Sequence, residues 1–138
     1  MADAVTSQTL SDGDRIAVVK FTNISDGTGE SSVAKVDISA LAASNTGSTP
    51  SRATIEQIWY DIGGMRVALD WNATSNVVAA VLGGSAAAGN VNGHMDFRSF
   101  GGLKYTEASG PNGDIDLTTH GHTNHDHYTI VMQLRKSY

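Results

Sequence analysis

Residues 54–73, TIEQIWYDIGGMRVALDWNA, alternate apolar and polar side chains on both sides of a double glycine. A period of two places alternate side chains on one face of a β-strand, so each half predicts a strand with one buried face. The predicted inward side chains are Ile58, Tyr60, Ile62, Met65, Val67, Leu69 and Trp71. Gly63 and Gly64 can adopt the positive φ angles of a tight turn, so the stretch predicts a β-hairpin.

Shorter segments of similar character recur along the rest of the chain, between turns rich in Gly, Asp, Asn and Ser. They predict strands at 15–22, 33–38, 77–82, 94–100, 114–119 and 128–135. The run 77–82, VVAAVL, is apolar on both sides, which predicts a strand covered on both faces. Together with the hairpin, these segments make about eight short strands and no long helix. We therefore predict an all-β fold, an antiparallel β-sandwich or jelly roll.

The first residues differ from the remainder of the chain. Residues 1–14 are small, polar and aperiodic, so we predict a short, flexible N-terminal arm. The arm is either a loose end or a segment that becomes ordered against a neighbouring subunit. Residues 15–138 are predicted to form a single β-sandwich domain, because a chain of 138 residues is long enough for one hydrophobic core.

Charge and composition exclude several classes of partner. The chain carries 14 acidic and 9 basic residues, a net charge of −5, and its basic residues are scattered. Nucleic-acid binding needs a basic patch, so we expect no nucleic-acid partner. Cysteine is absent, which excludes disulfides and cysteine-dependent metal sites. With no signal-peptide pattern and no apolar run long enough to cross a bilayer, we expect a soluble protein without a membrane partner.

Four histidines within eight residues form the most conspicuous local pattern: His120, His122, His125 and His127. Imidazoles bind Zn, Ni or Fe, and two at a spacing of two point the same way along an extended segment. The same pattern fits a polar turn between two strands, where histidines are solvated or contact another subunit. We prefer the second interpretation, and we predict neither a metal nor another cofactor.

The remaining candidates for chemistry have simpler structural explanations. Asp114 and Asp116 alternate with apolar side chains, which indicates the solvent-facing side of a strand rather than a calcium site or an acid–base pair. Trp59 and Trp71 suggest a sugar-stacking platform, but Trp71 shares a face with core residues. Trp59 lies on the opposite face and predicts an exposed interface anchor. The chain contains no GxSxG, HExxH, P-loop or dinucleotide-binding motif, so we do not expect an enzyme.

Four segments carry a resemblance to a known family: ADAVTSQTLSDGDRIAVVKF, VALDWNAT, MDFRSFGGL and IDLTTHGHTNHDHYTIVMQLRKS. They resemble segments of a family of small virion structural proteins of tailed bacteriophages, common among cyanophages and their relatives. The resemblance spans nearly the whole chain. It implies a non-enzymatic β-sandwich protein that is incorporated into the virion.

The resemblance also implies a particular place in the particle. We expect a capsid decoration, or cement, protein on the outer capsid surface, synthesised in the host cytoplasm. Its expected partners are the major capsid protein and further copies of itself, as a homotrimer at capsomer junctions. The candidate interface residues are Val5, Thr6, Trp59, His122 and His125. The alternatives are a neck, tail or baseplate component, and a carbohydrate- or metal-binding β-sandwich module.

Overall fold

A computed structural model describes residues 4–43, 46–72, 77–83, 90–104, 114–121 and 124–137. Within these residues the chain forms nine strands: β1 (Ala4–Asp12), β2 (Ile16–Asp26), β3 (Val33–Val36), β4 (Arg52–Gly63), β5 (Arg66–Trp71), β6 (Val77–Gly83), β7 (Asn90–Asp96), β8 (Ile115–His120) and β9 (Asn124–Ser137). Short 3₁₀ turns lie at Ile38–Ala40 and Arg98–Phe100. The predicted all-β class is confirmed.

The described strands form two antiparallel sheets. The five-stranded sheet has the order β1-β2-β9-β4-β7, and the four-stranded sheet has the order β3-β8-β5-β6. The pairing of the last eight strands is nested, since β2 pairs with β9, β3 with β8, β4 with β7 and β5 with β6. The strands from β2 to β9 are therefore arranged as one long hairpin that is folded over into two layers.

The core lies between the two sheets. Strand β2 alternates half-buried and buried side chains from Ile16 to Asn23, and β9 does the same from Thr129 to Lys136. Alternation of this kind places every second residue in the core. The fully buried side chains come from both layers and include Phe21, Ile55, Ile58, Ile62, Leu69, Leu82, Ile115, Leu117, Tyr128 and Ile130. The prediction of an antiparallel β-sandwich is thus confirmed.

The predicted hairpin at the double glycine is wrong, although its inward residues are largely right. Strand β4 pairs with β7 and β9, whereas β5 pairs with β6 and β8 in the other sheet. The double glycine therefore carries the chain from one layer to the other. Gly64 has a φ of 81°, and a Cβ at this position would collide with the Asp126 carboxylate. The backbone conformation favours glycine here, and a Cβ would also force the Asp126 side chain to move.

The prediction that residues 77–82 are covered on both faces is also wrong. Strand β6 is an edge strand of the four-stranded sheet. Val78 is 56% exposed and Val81 52% exposed, while Leu82 is buried. A continuous apolar run shows which residues could be buried, but it does not show whether the fold supplies a second covering layer.

The predicted N-terminal arm contains a regular strand. Strand β1 pairs antiparallel with β2 from Ala4 to Asp12, with a register shift between Thr9 and Ser11. The sequence did not predict this strand, because its residues are mostly small and polar and do not alternate with apolar ones. Whether the strand also contacts a neighbouring subunit stays a prediction.

Candidate functional site

The histidine-rich segment spreads over two strands. His120 ends β8 and is exposed, whereas His127 lies in β9 and is half-buried. His120 alternates with the inward Thr119, and His127 alternates with the inward Tyr128. Since β8 and β9 belong to different sheets, these two imidazoles point to opposite outer faces of the sandwich. Residue 122 and the side chain of His125 lie outside the described part of the chain.

The positions of His120 and His127 do not support a metal site shared by these two side chains. A metal site gathers its ligands on one side of the protein, within about 2–2.5 Å of the ion. His120 and His127 do not converge, and the described residues contain no group of three or more His, Cys, Asp or Glu side chains suited to a metal. The interface role predicted for His122 and His125 stays a prediction.

Two carboxylates face each other on the outer side of the four-stranded sheet. Asp70 and Asp116 are partners in the β5–β8 ladder, and they are only 9% and 2% exposed. Burial, and then the negative charge of Asp116, raises the pKa of Asp70, while His120 opposes the shift. Asn72 donates to Asp116 at 2.7 Å. The prediction that Asp116 faces solvent is wrong. Its neighbours Asp70 and Asn72 are distant in the sequence, so the alternation of residues within β8 could not show its surroundings.

The outer face of the five-stranded sheet presents a different kind of surface. Strand registry places Val131, Trp59 and His94 side by side in one row across β9, β4 and β7. The adjacent row, two residues along each strand, contains Thr129, Asp61 and Asn92. These six residues, with Tyr60 and Gly93, line a shallow depression of about 420 Å³. An apolar and aromatic row thus runs parallel to a polar row.

Trp59 is the central side chain of this depression. It is 37% exposed, as the sequence predicted, and its ring stacks on His94 with centroids 4.9 Å apart and planes 7° apart. His94 Nε2 donates to Gln57 Oε1 at 2.8 Å. The other tryptophan, Trp71, is 6% exposed and belongs to the core. The structure therefore confirms the prediction that Trp71 packs in the core and that Trp59 is exposed on the opposite face.

A chain of polar contacts beside the aromatic pair holds the His94 ring in place. Gln57 Nε2 donates to Gln133 Oε1 at 3.0 Å, and Gln133 Nε2 donates to Glu56 Oε1 at 3.0 Å. Arg135 closes the chain through a 3.0 Å ion pair with Glu56. A connected network of this type restricts the rotamers of its members. The His94 ring, and with it the Trp59 stack, is therefore held in one orientation.

Strand β1 offers a second candidate surface, at the opposite edge of the same sheet. It pairs only with β2, so its other edge presents backbone donors and acceptors to solvent. Val5 and Leu10 are 41% and 47% exposed, and Ile24 on β2 is 57% exposed. Of the two candidate interface residues in this strand, Val5 pairs with Asn23, and the Thr6 hydroxyl contacts the Thr22 hydroxyl.

The C-terminal end of β1 is fastened to the sandwich by a buried lysine. Lys136 Nζ contacts Asp12 Oδ1 at 2.6 Å, the carbonyl of Gly13 at 2.5 Å and the carbonyl of Ala42 at 3.0 Å. The Lys136 side chain is fully buried. All three N–H donors of the ammonium are used. This end of the strand is thus fixed, whereas the side chains from Val5 to Leu10 are exposed.

A second buried charge links the two sheets. Glu30 forms a 2.6 Å ion pair with Lys35, and both side chains are almost completely buried. Its other oxygen accepts hydrogen bonds from Asn23 and Tyr128 at 2.7 and 2.5 Å. In the sequence, Glu30 falls in the Gly- and Ser-rich turn region between the first two predicted strands. No local signal identifies it, because its partners are distributed over three strands.

Comparison with known proteins gives no match: neither a protein-family model, nor a curated protein, nor a solved structure is significantly similar to the chain.

Proposed function

We propose that the chain is a non-enzymatic structural protein of a tailed-phage virion, a capsid decoration protein with a jelly-roll fold. Two independent lines support this proposal. The first is the sequence resemblance to small virion structural proteins of tailed phages. The second is the nested pairing of β2 to β9 in two sheets, the order expected of a jelly roll, an architecture used by viral capsid proteins and by lectins.

Strand β1 is the observation that carries the assembly role. It extends the five-stranded sheet beyond the β2–β9 sandwich, and every described side chain from Val5 to Ser11 is exposed. An uncovered edge strand is a template on which another chain can add a strand. Exposed Val5 and Leu10 would become buried in such a contact.

A decoration protein gains from repetition of a modest contact. One strand addition with a few apolar side chains is a small interface, but a closed homotrimer makes three such contacts between its subunits, and a trimer at a capsomer junction contacts the shell through three subunits at once. Linked contacts of this kind raise the overall affinity through effective concentration. The proposed partners are accordingly further copies of the chain, as a homotrimer, and the major capsid protein on the outer capsid surface.

Protein quantification in purified particles tests the proposed function directly. In virions of the phage that encodes the chain, mass spectrometry against the major capsid protein is expected to find hundreds of copies. A dozen copies or fewer would assign the chain to the neck, tail or baseplate instead. Absence from the particle would overturn the proposal.

A deletion tests the role of β1. Removal of residues 1–10 retains Asp12 and its contact with Lys136, so the fold is expected to survive. Light scattering should find a trimer for the full chain and a monomer for the deletion variant, with matching circular dichroism spectra. Val78→Ser, on the edge strand of the other sheet, is the control and should remain trimeric. An unchanged oligomeric state in the deletion variant would contradict the role of β1.

A further inference from the structure

We infer that the depression around Trp59 is a carbohydrate-binding site that takes an uncharged pyranose. This inference does not depend on the virion role. It assigns Trp59 to a ligand, whereas the sequence suggested a protein interface.

The surface of the depression is divided into two rows of side chains. Val131, Trp59 and His94 form an apolar and aromatic row, and Thr129, Asp61 and Asn92 form a polar row beside it. A pyranose ring has the same division, since one face carries C–H groups and the rim carries hydroxyl groups. The C–H face would pack on the indole, whose ring carries a negatively polarised face.

The polar row supplies groups that can bind the hydroxyl groups of a sugar. Asp61 and Asn92 are exposed, and Thr129 is half-buried, so their polar atoms can reach a ligand in the depression. A carboxylate accepts hydrogen bonds from hydroxyl groups, and an amide both accepts and donates. Hydrogen bonds to a charged acceptor are the stronger ones, so Asp61 would make the main polar contact. The same charge repels acidic sugars and phosphate groups.

The aromatic side chains of the depression are preorganised for a ligand. His94 covers one side of the Trp59 ring and is held by its hydrogen bond to Gln57, which the contacts to Gln133 and Glu56 hold in turn. A side chain that is already fixed loses little conformational entropy when a ligand binds. On the other side of this strand pair, the Tyr60 ring lies against Gly93, where a Cβ would come within 2.9 Å of the Tyr60 hydroxyl.

The shape of the site favours a sugar over other ligands. The depression is shallow and lies on an open sheet face, whereas sites for drug-sized apolar ligands enclose most of the ligand surface. Nucleic-acid bases also stack on exposed tryptophan, but they bring phosphates that a chain with a net charge of −5 disfavours. A neutral glycan satisfies both the aromatic and the polar row without a charge conflict.

A glycan array probed with the labelled full-length protein tests the inference. Arrayed glycans that end in neutral hexoses or N-acetylhexosamines are expected to bind, and those that end in acidic sugars should score lower. Trp59→Ala should weaken the apparent affinity for the best neutral glycan at least tenfold, and Asp61→Asn should also weaken it. Phe100→Ala removes another exposed aromatic ring, 65% exposed, and should change affinity less than twofold.

Nuclear magnetic resonance supplies an internal control. Titration of the best neutral glycan should shift the indole N–H signal of Trp59 and leave that of buried Trp71 in place. A silent array, or binding that Trp59→Ala leaves unchanged, would overturn the inference. Loss of oligomerisation in Trp59→Ala without any glycan binding would identify a protein interface, which would also overturn it.

Discussion

Replacement of Lys136 by Met should destabilise the fold by about 3–5 kcal/mol, the range seen when one partner of a buried ion pair is removed. Methionine preserves most of the length of the aliphatic stem, so the change mainly removes the ammonium group. That group donates three charge-assisted hydrogen bonds, to Asp12 and to the carbonyls of Gly13 and Ala42. At the lower end of about 1.5–3 kcal/mol for each such bond, the sum is about 4.5 kcal/mol, which lies within this range.

Urea unfolding followed by tryptophan fluorescence measures this loss, provided that the slope of the transition is unchanged. For a chain of 138 residues, the melting temperature should fall by about 10–20 °C. Arg98→Met is the matched control, because the Arg98–Asp96 pair has similar geometry at 2.7 Å but side chains that are 54% and 36% exposed. Its midpoint should hardly move, since water screens exposed pairs. A loss of about 1 kcal/mol or less for Lys136→Met would refute the reasoning.

Two further perturbations probe the core and the buried acid. Leu69→Ala should cost about 2–5 kcal/mol, because Leu69 is fully buried and would leave a cavity between the sheets; a urea midpoint equal to that of the unmodified chain would contradict this packing. Asp70→Asn should raise the melting temperature at pH 7. Burial raises the pKa of Asp70 above its ordinary value of 3.8, so the folded state holds this proton more tightly than the unfolded state does. The unfavourable contribution of the charged form is complete above the folded pKa and declines as the pH falls towards 3.8. The advantage of the variant should therefore shrink in acid, and a pH-independent difference would exclude titration of Asp70 as its cause.

The inward-facing residues were the most predictable part of the fold. Ile58, Ile62, Met65, Val67 and Leu69 are all at most 2% exposed, as their alternation predicted. Alternation is a local property of an extended chain, so it can be read without knowing the neighbours of the strand. The pairing of β4 with β5 was mispredicted because strand pairing, unlike alternation, is not a local property of the chain. The double glycine permits a reversal, but it does not determine whether the reversed strand lies beside the first one or across from it.

The candidate site likewise has one feature that the sequence predicted and others that it could not predict. The exposure of Trp59 followed from its position between inward residues. Its partner His94 is 35 residues away in the chain and becomes a neighbour only through the β4–β7 register. Asp116 likewise becomes a neighbour of Asp70 only through the β5–β8 register. Residue patterns within one strand contain no information about such cross-strand neighbours.

The order of side chains along the chain thus determined that it would be an all-β protein and which residues would form the core, because period-two alternation and glycine-rich turns act over a few residues. Only the tertiary structure decided which strands became neighbours, which edge strands remained uncovered, and which polar side chains met. Those outcomes depend on hydrogen bonding and burial between segments that are distant in sequence, such as Lys136 with Asp12 and Trp59 with His94.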